Sequence, residues 1–181
     1  MAGVTRVEVL RDADVPAGRL TAVRELTFAA FGGRFSEHDW DHTYGGARVV
    51  ALDGDVAVAA GAVVPRLLVV GDRAFDTGYV EGVATAPGRH GTGFGTAVMA
   101  ACADVIRARH QLGALSTGAH GFYERLGWQR WHGPTYVRHD DGRLERTPDE
   151  DDGLMVLLTG ASTGPDLTAS ISCPARAGDD W

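Results

Sequence analysis

Three observations predict an α/β fold of the α+β kind, with a mixed and mostly antiparallel twisted sheet flanked by helices. Two hairpin signatures stand in succession, Asp53-Gly54 and Gly71-Asp72, each between apolar runs, and Asp-Gly supplies the positive φ values that a tight turn demands. The strand Phe75 to Thr85 then runs through a glycine-rich turn into a helical pattern, and the short run Gly113 to Ser116 beyond that helix is reached by a crossover, hence parallel to the strand before the turn. Finally, 181 residues with 44% hydrophobic content bury one core, so residues 1–181 are expected to form a single domain.

Thr5 to Leu10 alternates as a first strand. Pro16 opens a helix with Leu20, Val23, Leu26 and Ala30 on one stripe, broken by Phe31-Gly32-Gly33. Ser36-Glu37-His38-Asp39 has capping-box spacing, so a short second helix starts there and ends near Tyr44-Gly45-Gly46. The first hairpin joins Val49 to Leu52 with Val56 to Val64; the second joins Arg66 to Val70 with Phe75 to Thr85. From Gly93 a helix places Phe94, Ala97, Val98, Ala101 and Val105 on one face. Ala119 to Leu126 reads as a helix ended by Gly127, and Gln129 to Val137 and Leu154 to Leu158 as strands separated by the polar loop Asp140 to Gly153. Leu167, Ala169, Ile171 and Cys173 alternate with polar residues, which predicts a last strand delivering Gly178-Asp179-Asp180-Trp181 to a defined place.

A net charge of −7 argues against nucleic-acid binding, which needs a basic face. The acids fall in groups, Glu37, Asp39 and Asp41, then Glu81, then Asp149 to Asp152, then Asp179 and Asp180. They read as solvated loops or as a pocket for a polycationic partner. No long apolar run and no basic-then-apolar leader supports a membrane span or export, so a cytoplasmic protein is expected. Cys102 and Cys173 read as two buried or free thiols.

The stretch Tyr79 to Gly95 carries the chemistry. Its glycines let successive N–H groups point into one concavity, and the helix after them adds its positive dipole end, so the stretch reads either as a diphosphate cradle or as a plain tight turn between strand and helix. No Gly-Lys-Ser/Thr closes a Walker loop. Glu81 beside the cradle is either a general base or a carboxylate paired with a core cation or hydroxyl. Tyr123 is either an acid or a packed helix aromatic. His38 and His42 lie one helical turn apart, yet no Glu follows the first and no third ligand motif is evident, so no metal site is expected. Trp181 is either a frayed end or an anchored indole whose carboxylate, with Asp179, meets ammonium groups.

His90-Gly91-Thr92-Gly93-Phe94-Gly95 resembles the acetyl-CoA loop of the GNAT acetyltransferases, Arg/Gln-x-x-Gly-x-Gly/Ala, with His90 at the Arg/Gln place and Arg89 beside it. Phe122-Tyr123-Glu124-Arg125-Leu126-Gly127-Trp128 resembles the Phe-Tyr-x-x-x-Gly-Phe/Trp segment found after that loop. The segments Phe35 to His42, Tyr79 to Ala84, Gln111 to Ser116, Trp131 to Thr135 and Arg176 to Trp181 resemble the aminoglycoside 2′-N-acetyltransferases in particular, from about Phe31 onward.

The resemblance implies acetyl transfer from acetyl-CoA to the 2′-amino group of an aminoglycoside by direct attack in a ternary complex, conferring resistance. It implies Glu81 as water-mediated base and Tyr123 as acid, with acetyl-CoA held by Val83, Ala84, Thr85, Arg89, His90, Gly91, Thr92, Gly93, Phe94 and Gly95. It implies a cationic aminoglycoside held by Asp39, Glu81, Gly82, Ser116, Asp152, Asp179 and Trp181, with a tail from about residue 160 completing that site, and a homodimer. Two departures stand out: Arg34 occupies a place where the family has an acidic ligand, and the segment from Ser116 to Tyr123 is short. A cation at position 34 implies a less cationic or carboxylate-bearing substrate, such as kasugamycin. Acetylation of another small amine, or an idle acyl-CoA-binding or aminoglycoside-binding module, are the competing readings.

Overall fold

The computed structural model describes residues 5–160 and 164–181. In chain order the elements are β1 (Thr5–Arg11), α1 (Ala17–Phe31), α2 (Glu37–His42), β2 (Ala47–Asp53), β3 (Val56–Val70), β4 (Arg73–Thr85), α3 (Phe94–Arg109), β5 (Leu112–Ser116), α4 (His120–Glu124), β6 (Gln129–Arg130), β7 (Thr135–Arg138), β8 (Leu144–Arg146), β9 (Leu154–Leu158) and β10 (Ile171–Pro174). Strand neighbours run β6-β9-β5-β4-β3-β10-β7-β8, with β2 also on β3 and β1 on β2. The sheet is mixed: β4–β5 and β7–β10 are parallel, while β1–β2, β2–β3, β3–β10, β5–β9, β6–β9 and β7–β8 are antiparallel. Among the described residues, no helix is long and apolar enough to cross a membrane.

The chain divides into two compact units. The first holds the described residues up to Val64 together with Val80–Val105. In its core Val23 and Leu26 of α1 meet Trp40 of α2 and Val50, Leu52, Ala60 and Ala84 of the strands, with Leu20, Phe28, Phe31 and Phe35 packed around them. α1 ends where Gly32 turns left-handed at φ 58°. α2 starts on a complete capping box, with Ser36 and Asp39 exchanging backbone and side-chain bonds, worth about 1 kcal/mol against alanine. α3 lies over Gly61 of β3, where Val98 Cγ1 and Cys102 Sγ come within 3.3 and 3.7 Å of the place a side chain would fill. At one end of β2, Arg48 is 2% exposed and bonds Asp12 at 2.9 Å; breaking such a buried pair costs about 3–5 kcal/mol.

The second unit holds Pro65–Tyr79 and the described residues from Ile106 to Trp181. Here the expected elements needed correction. Gln129 to Val137 is not one strand but two, because Pro134 has no N–H for a ladder and Trp131 to Gly133 turn aside to bond Leu154 and Leu167. The polar loop Asp140 to Gly153 contains β8 and a 3₁₀ turn at Pro148–Glu150. The last strand begins at Ile171 rather than Leu167, since the Asp166 carboxylate captures the Thr168 N–H and hydroxyl at 2.9 and 2.8 Å and folds Leu167 to Ala169 into a turn. The helix Ala119 to Leu126 is shorter, His120–Glu124. The apolar run Val56 to Val70 is one uninterrupted strand across Pro65.

Polar bonds hold the tail. Thr135 Oγ1 donates to Thr147 O at 2.7 Å, Thr147 Oγ1 accepts the Trp181 indole N–H at 3.2 Å, and Asp151 Oδ1 accepts the Thr135 N–H at 2.9 Å. Arg146 closes the ladder on Asp151 with both Nη atoms. These contacts depress the Asp151 carboxyl to about 2, the Arg146 hydrogen bond being the largest cause. A depressed acid stabilises the fold above its unfolded value and loses that contribution as pH falls toward the folded one. The melting temperature is therefore expected to drop more steeply between about pH 4 and pH 2 in the wild type than in Asp151→Asn, with the variant the less stable of the two at neutral pH; a pH series of thermal melts checks both.

Candidate active site

β4 does not end as a regular strand. Gly82 has φ +60° inside it, a left-handed conformation that costs an L-residue about 1–2 kcal/mol. A Cβ there would stand 3.0 Å from Thr43 Cγ2 and 3.6 Å from Phe35 Cζ. The strand thus carries a left-handed glycine immediately after Glu81, whose side chain is half-buried. The pairing of β4 with β5 runs from Thr77 to Tyr79 and stops two residues before Glu81.

Beyond Thr85 the chain makes the turn read as a cradle. Ala86 N–H donates to Val58 O at 2.8 Å and Arg89 N–H to Ala86 O at 2.9 Å. Gly88, Gly91 and Gly93 all have positive φ, at 81°, 75° and 90°, and nothing lies within 4 Å of where their side chains would be. The loop from Gly88 to Gly93 is exposed. Gly93 O accepts the Ala97 N–H at 3.0 Å, so α3 opens at Phe94 and the N–H groups of its first turn have no partner within the helix. An exposed glycine loop at a helix start fits a diphosphate. Arg89 is held on Asp53 at 2.8 Å.

Asp39, partly buried on α2, uses Oδ2 for the Ser36 N–H at 2.7 Å. Exposed Arg34 folds its Nε onto Phe31 O at 3.3 Å. His38 and His42 sit on α2, and among the described residues no three His, Cys, Asp or Glu side chains converge as metal ligands.

In the second unit Tyr123 of α4 is 8% exposed, its ring edge-on to Phe122 and Trp128 with centroids 5.0 and 6.3 Å away. Ser116 closes β5 and donates to Glu150 Oε2 at 3.1 Å. Glu150 was not singled out as a ligand from the sequence; it stands at the end of the 3₁₀ turn that the polar loop concealed. Burial and then the charge of Asp179 raise its carboxyl above the usual carboxylate range. Asp152 is exposed and its main-chain oxygen bonds the His120 ring, while exposed Asp179 accepts the Trp181 N–H at 3.1 Å. Trp181 is anchored, 4% exposed, and its main-chain oxygen takes Arg176 Nη2 at 3.3 Å. Cys102 and Cys173 are free and buried; burial pushes their thiols up to about 12 and about 11, so neither supplies a thiolate nucleophile.

Residues 14–131 match the family described as Acetyltransferase (GNAT) domain. An aminoglycoside 2′-N-acetyltransferase of Mycolicibacterium fortuitum is 43% identical over 162 residues, 87% of this chain and 83% of the relative. The chain belongs to the aminoglycoside 2′-N-acetyltransferase family of GNAT acetyltransferases. The solved structures agree on the fold. A GNAT family acetyltransferase from Brucella melitensis in complex with acetyl-CoA superposes at TM-score 0.61 with 15% identity, covering 95% of this chain and 97% of that one. The ribosomal-protein-S18-alanine N-acetyltransferase from Escherichia coli gives 0.58 with 19% identity over 89% and 97%.

The structure gathers the expected residues of this acetyltransferase in two sets. Glu81 to Thr85, the loop to Gly95, and Asp39 belong to the first unit; Ser116, Tyr123, Asp152, Asp179 and Trp181 belong to the second, where Glu150 joins them. Gly82 is the sharpest constraint in the first set. Gly82→Ala is expected to lower unfolding free energy by about 1–2 kcal/mol from the φ cost alone, and more from the Thr43 contact, as read by denaturant titration.

Proposed function

We propose that this enzyme transfers the acetyl group of acetyl-CoA to the 2′-amino group of an aminoglycoside, by direct attack within a ternary complex. The observation that carries this reading is the 43% identity over 87% of the chain to a relative named for that reaction. The geometry supports it: the strand carrying Glu81 and the left-handed Gly82 leads into an exposed glycine loop at the start of α3, and both cysteines are too deeply buried for an acyl-thiol intermediate.

The step balances simply. The amine nitrogen attacks the thioester carbonyl, Glu81 takes the amine proton directly or through one water, the C–S bond breaks, and the Tyr123 phenol protonates the departing thiolate of coenzyme A. Val83, Ala84 and Thr85 line the pantetheine arm, and Arg89, His90, Gly91, Thr92, Gly93, Phe94 and Gly95 hold the pyrophosphate. Asp39, Glu81, Gly82, Ser116, Asp152, Asp179 and Trp181 meet the ammonium and hydroxyl groups of the sugar rings. A cytoplasmic homodimer acting in antibiotic resistance is part of the same proposal. Exposed Arg34 favours one second reading, a substrate with a carboxylate of its own such as kasugamycin.

Incubation with acetyl-CoA and a panel of gentamicin, tobramycin, neamine, kasugamycin and kanamycin A, which has a 2′-hydroxyl, followed by mass spectrometry, tests the reading. Monoacetylation of the 2′-amino compounds with kanamycin A inert is expected, and Glu81→Gln and Tyr123→Phe should each lower kcat by roughly 10²–10⁴-fold. Reaction of kasugamycin alone supports the second reading, and Arg34→Asp should then reverse the substrate order. No product from any compound removes the aminoglycoside assignment.

Glu150 supplies a separate test. Because its carboxyl is raised, it retains part of a proton above the ordinary carboxylate range, and an ammonium bound beside it favours the ionised form. Aminoglycoside binding should release that proton and weaken as pH falls through the raised value. Calorimetry over a mildly acidic pH series in buffers of different ionisation enthalpy is expected to show a buffer-dependent heat that Glu150→Gln loses.

A further inference from the structure

Among the described residues Arg48 is one of the largest fully buried side chains, 2% exposed, and no step of the proposed transfer uses it. Two of its guanidinium nitrogens carry bonds. Nε and Nη2 hold Asp12 Oδ1 at 3.0 and 2.9 Å, and Nη2 also donates to the carbonyl and the hydroxyl of Thr43, both at 3.1 Å. The rings of Trp40 and Tyr44 flank it, with centroids 4.9 and 5.2 Å from Cζ. Thr43, itself 3% exposed, donates its hydroxyl to Trp40 O at 2.7 Å. A hydroxyl bonded from two sides leaves Thr43 one rotamer, and that rotamer turns Cγ2 toward Gly82, 3.0 Å from where a Cβ would stand.

We infer that Arg48 is a positioning residue for Glu81: it locks the Thr43 methyl beside the left-handed Gly82 and so sets the direction in which the Glu81 carboxylate leaves β4. The inference rests on the reading of Glu81 as the base. Its physical basis is the narrow tolerance of proton transfer, where a displacement of about 1 Å costs up to 10²-fold in rate. A buried ion pair joined to a threonine whose methyl stands beside the residue after Glu81 is more than a fastener for a corner.

The test uses Thr43→Ser, which keeps the hydroxyl and removes the methyl; Arg48→Lys, which keeps the charge and loses the fork; their double variant; and Glu81→Gln as reference. Each of the first two is expected to lower kcat roughly tenfold or more, to displace the acid limb of the pH profile of kcat/KM, and to leave KM for acetyl-CoA unchanged. Because Arg48 acts through Thr43, the double variant should be no slower than the slower single, whereas independent effects would multiply. Thr43→Ser with wild-type kcat and acid limb and only a lower melting temperature overturns the inference, also if Arg48→Lys fails to fold. Glu81→Gln inactive beside an unaltered Thr43→Ser removes the positioning role alone; Glu81→Gln with wild-type kcat and acid limb removes the base reading and the inference with it.

Discussion

A strand interior accepts a left-handed residue only where there is no Cβ, and the first unit is built around the one such residue in β4. Gly82 takes a left-handed φ directly after Glu81, a conformation that an L-residue would hold only under strain. The surroundings of that glycine are set by polar means. α2 has only six residues, too few to hold together by helix propensity; a capping box fastens its start and the Thr43 and Trp40 bonds fasten its end. The ring system of Phe28, Phe31, Phe35 and Trp40 then fills the space between.

The second unit solves a similar problem in the same currency of hydrogen bonds. Thr135, Thr147, Arg146 and Asp151 form a half-buried ladder in which each member has a partner. The consequence is that Asp151 and Glu150, neighbours in sequence, have opposite characters: one is held ionised by a guanidinium, the other is pushed toward its protonated form by burial and by Asp179. The first is an anchor. The second has charge left to give to a cation.

Legibility followed the range of the forces involved. Local signals survived folding: the Ser36 capping box, the Gly32 stop of α1, the turns at Asp53-Gly54 and Gly71-Asp72, and the parallel placement of β5 all appear where periodicity and turn chemistry put them. What failed depended on distant partners. The alternation at Leu167 to Ala169 was a true period of two, but Asp166 offered those amides a nearer acceptor than any strand. β8 lay hidden in a polar loop because an edge strand needs no apolar face. The glycine turn before α3 could be read from spacing, whereas the anchoring of Trp181 comes from a shorter last strand than the alternation predicted and from the Thr147 and Arg176 bonds. Glu150 could not be read, since only the fold brings it to Ser116, and neither could Arg48, whose burial contradicts the usual fate of an arginine.

The depth of Cys102 and Cys173 has a bearing on the far side of catalysis. Each turnover of an acetyl-CoA-dependent enzyme liberates a thiol, and once that thiol has been oxidised to its disulfide an accessible protein thiolate can attack it, forming a mixed disulfide and releasing the other thiol. Both cysteines here are buried and hold their protons far above neutral pH. The protein therefore presents no partner for exchange with its own by-product, and it stays chemically unmarked as coenzyme A accumulates around it under mildly oxidising conditions.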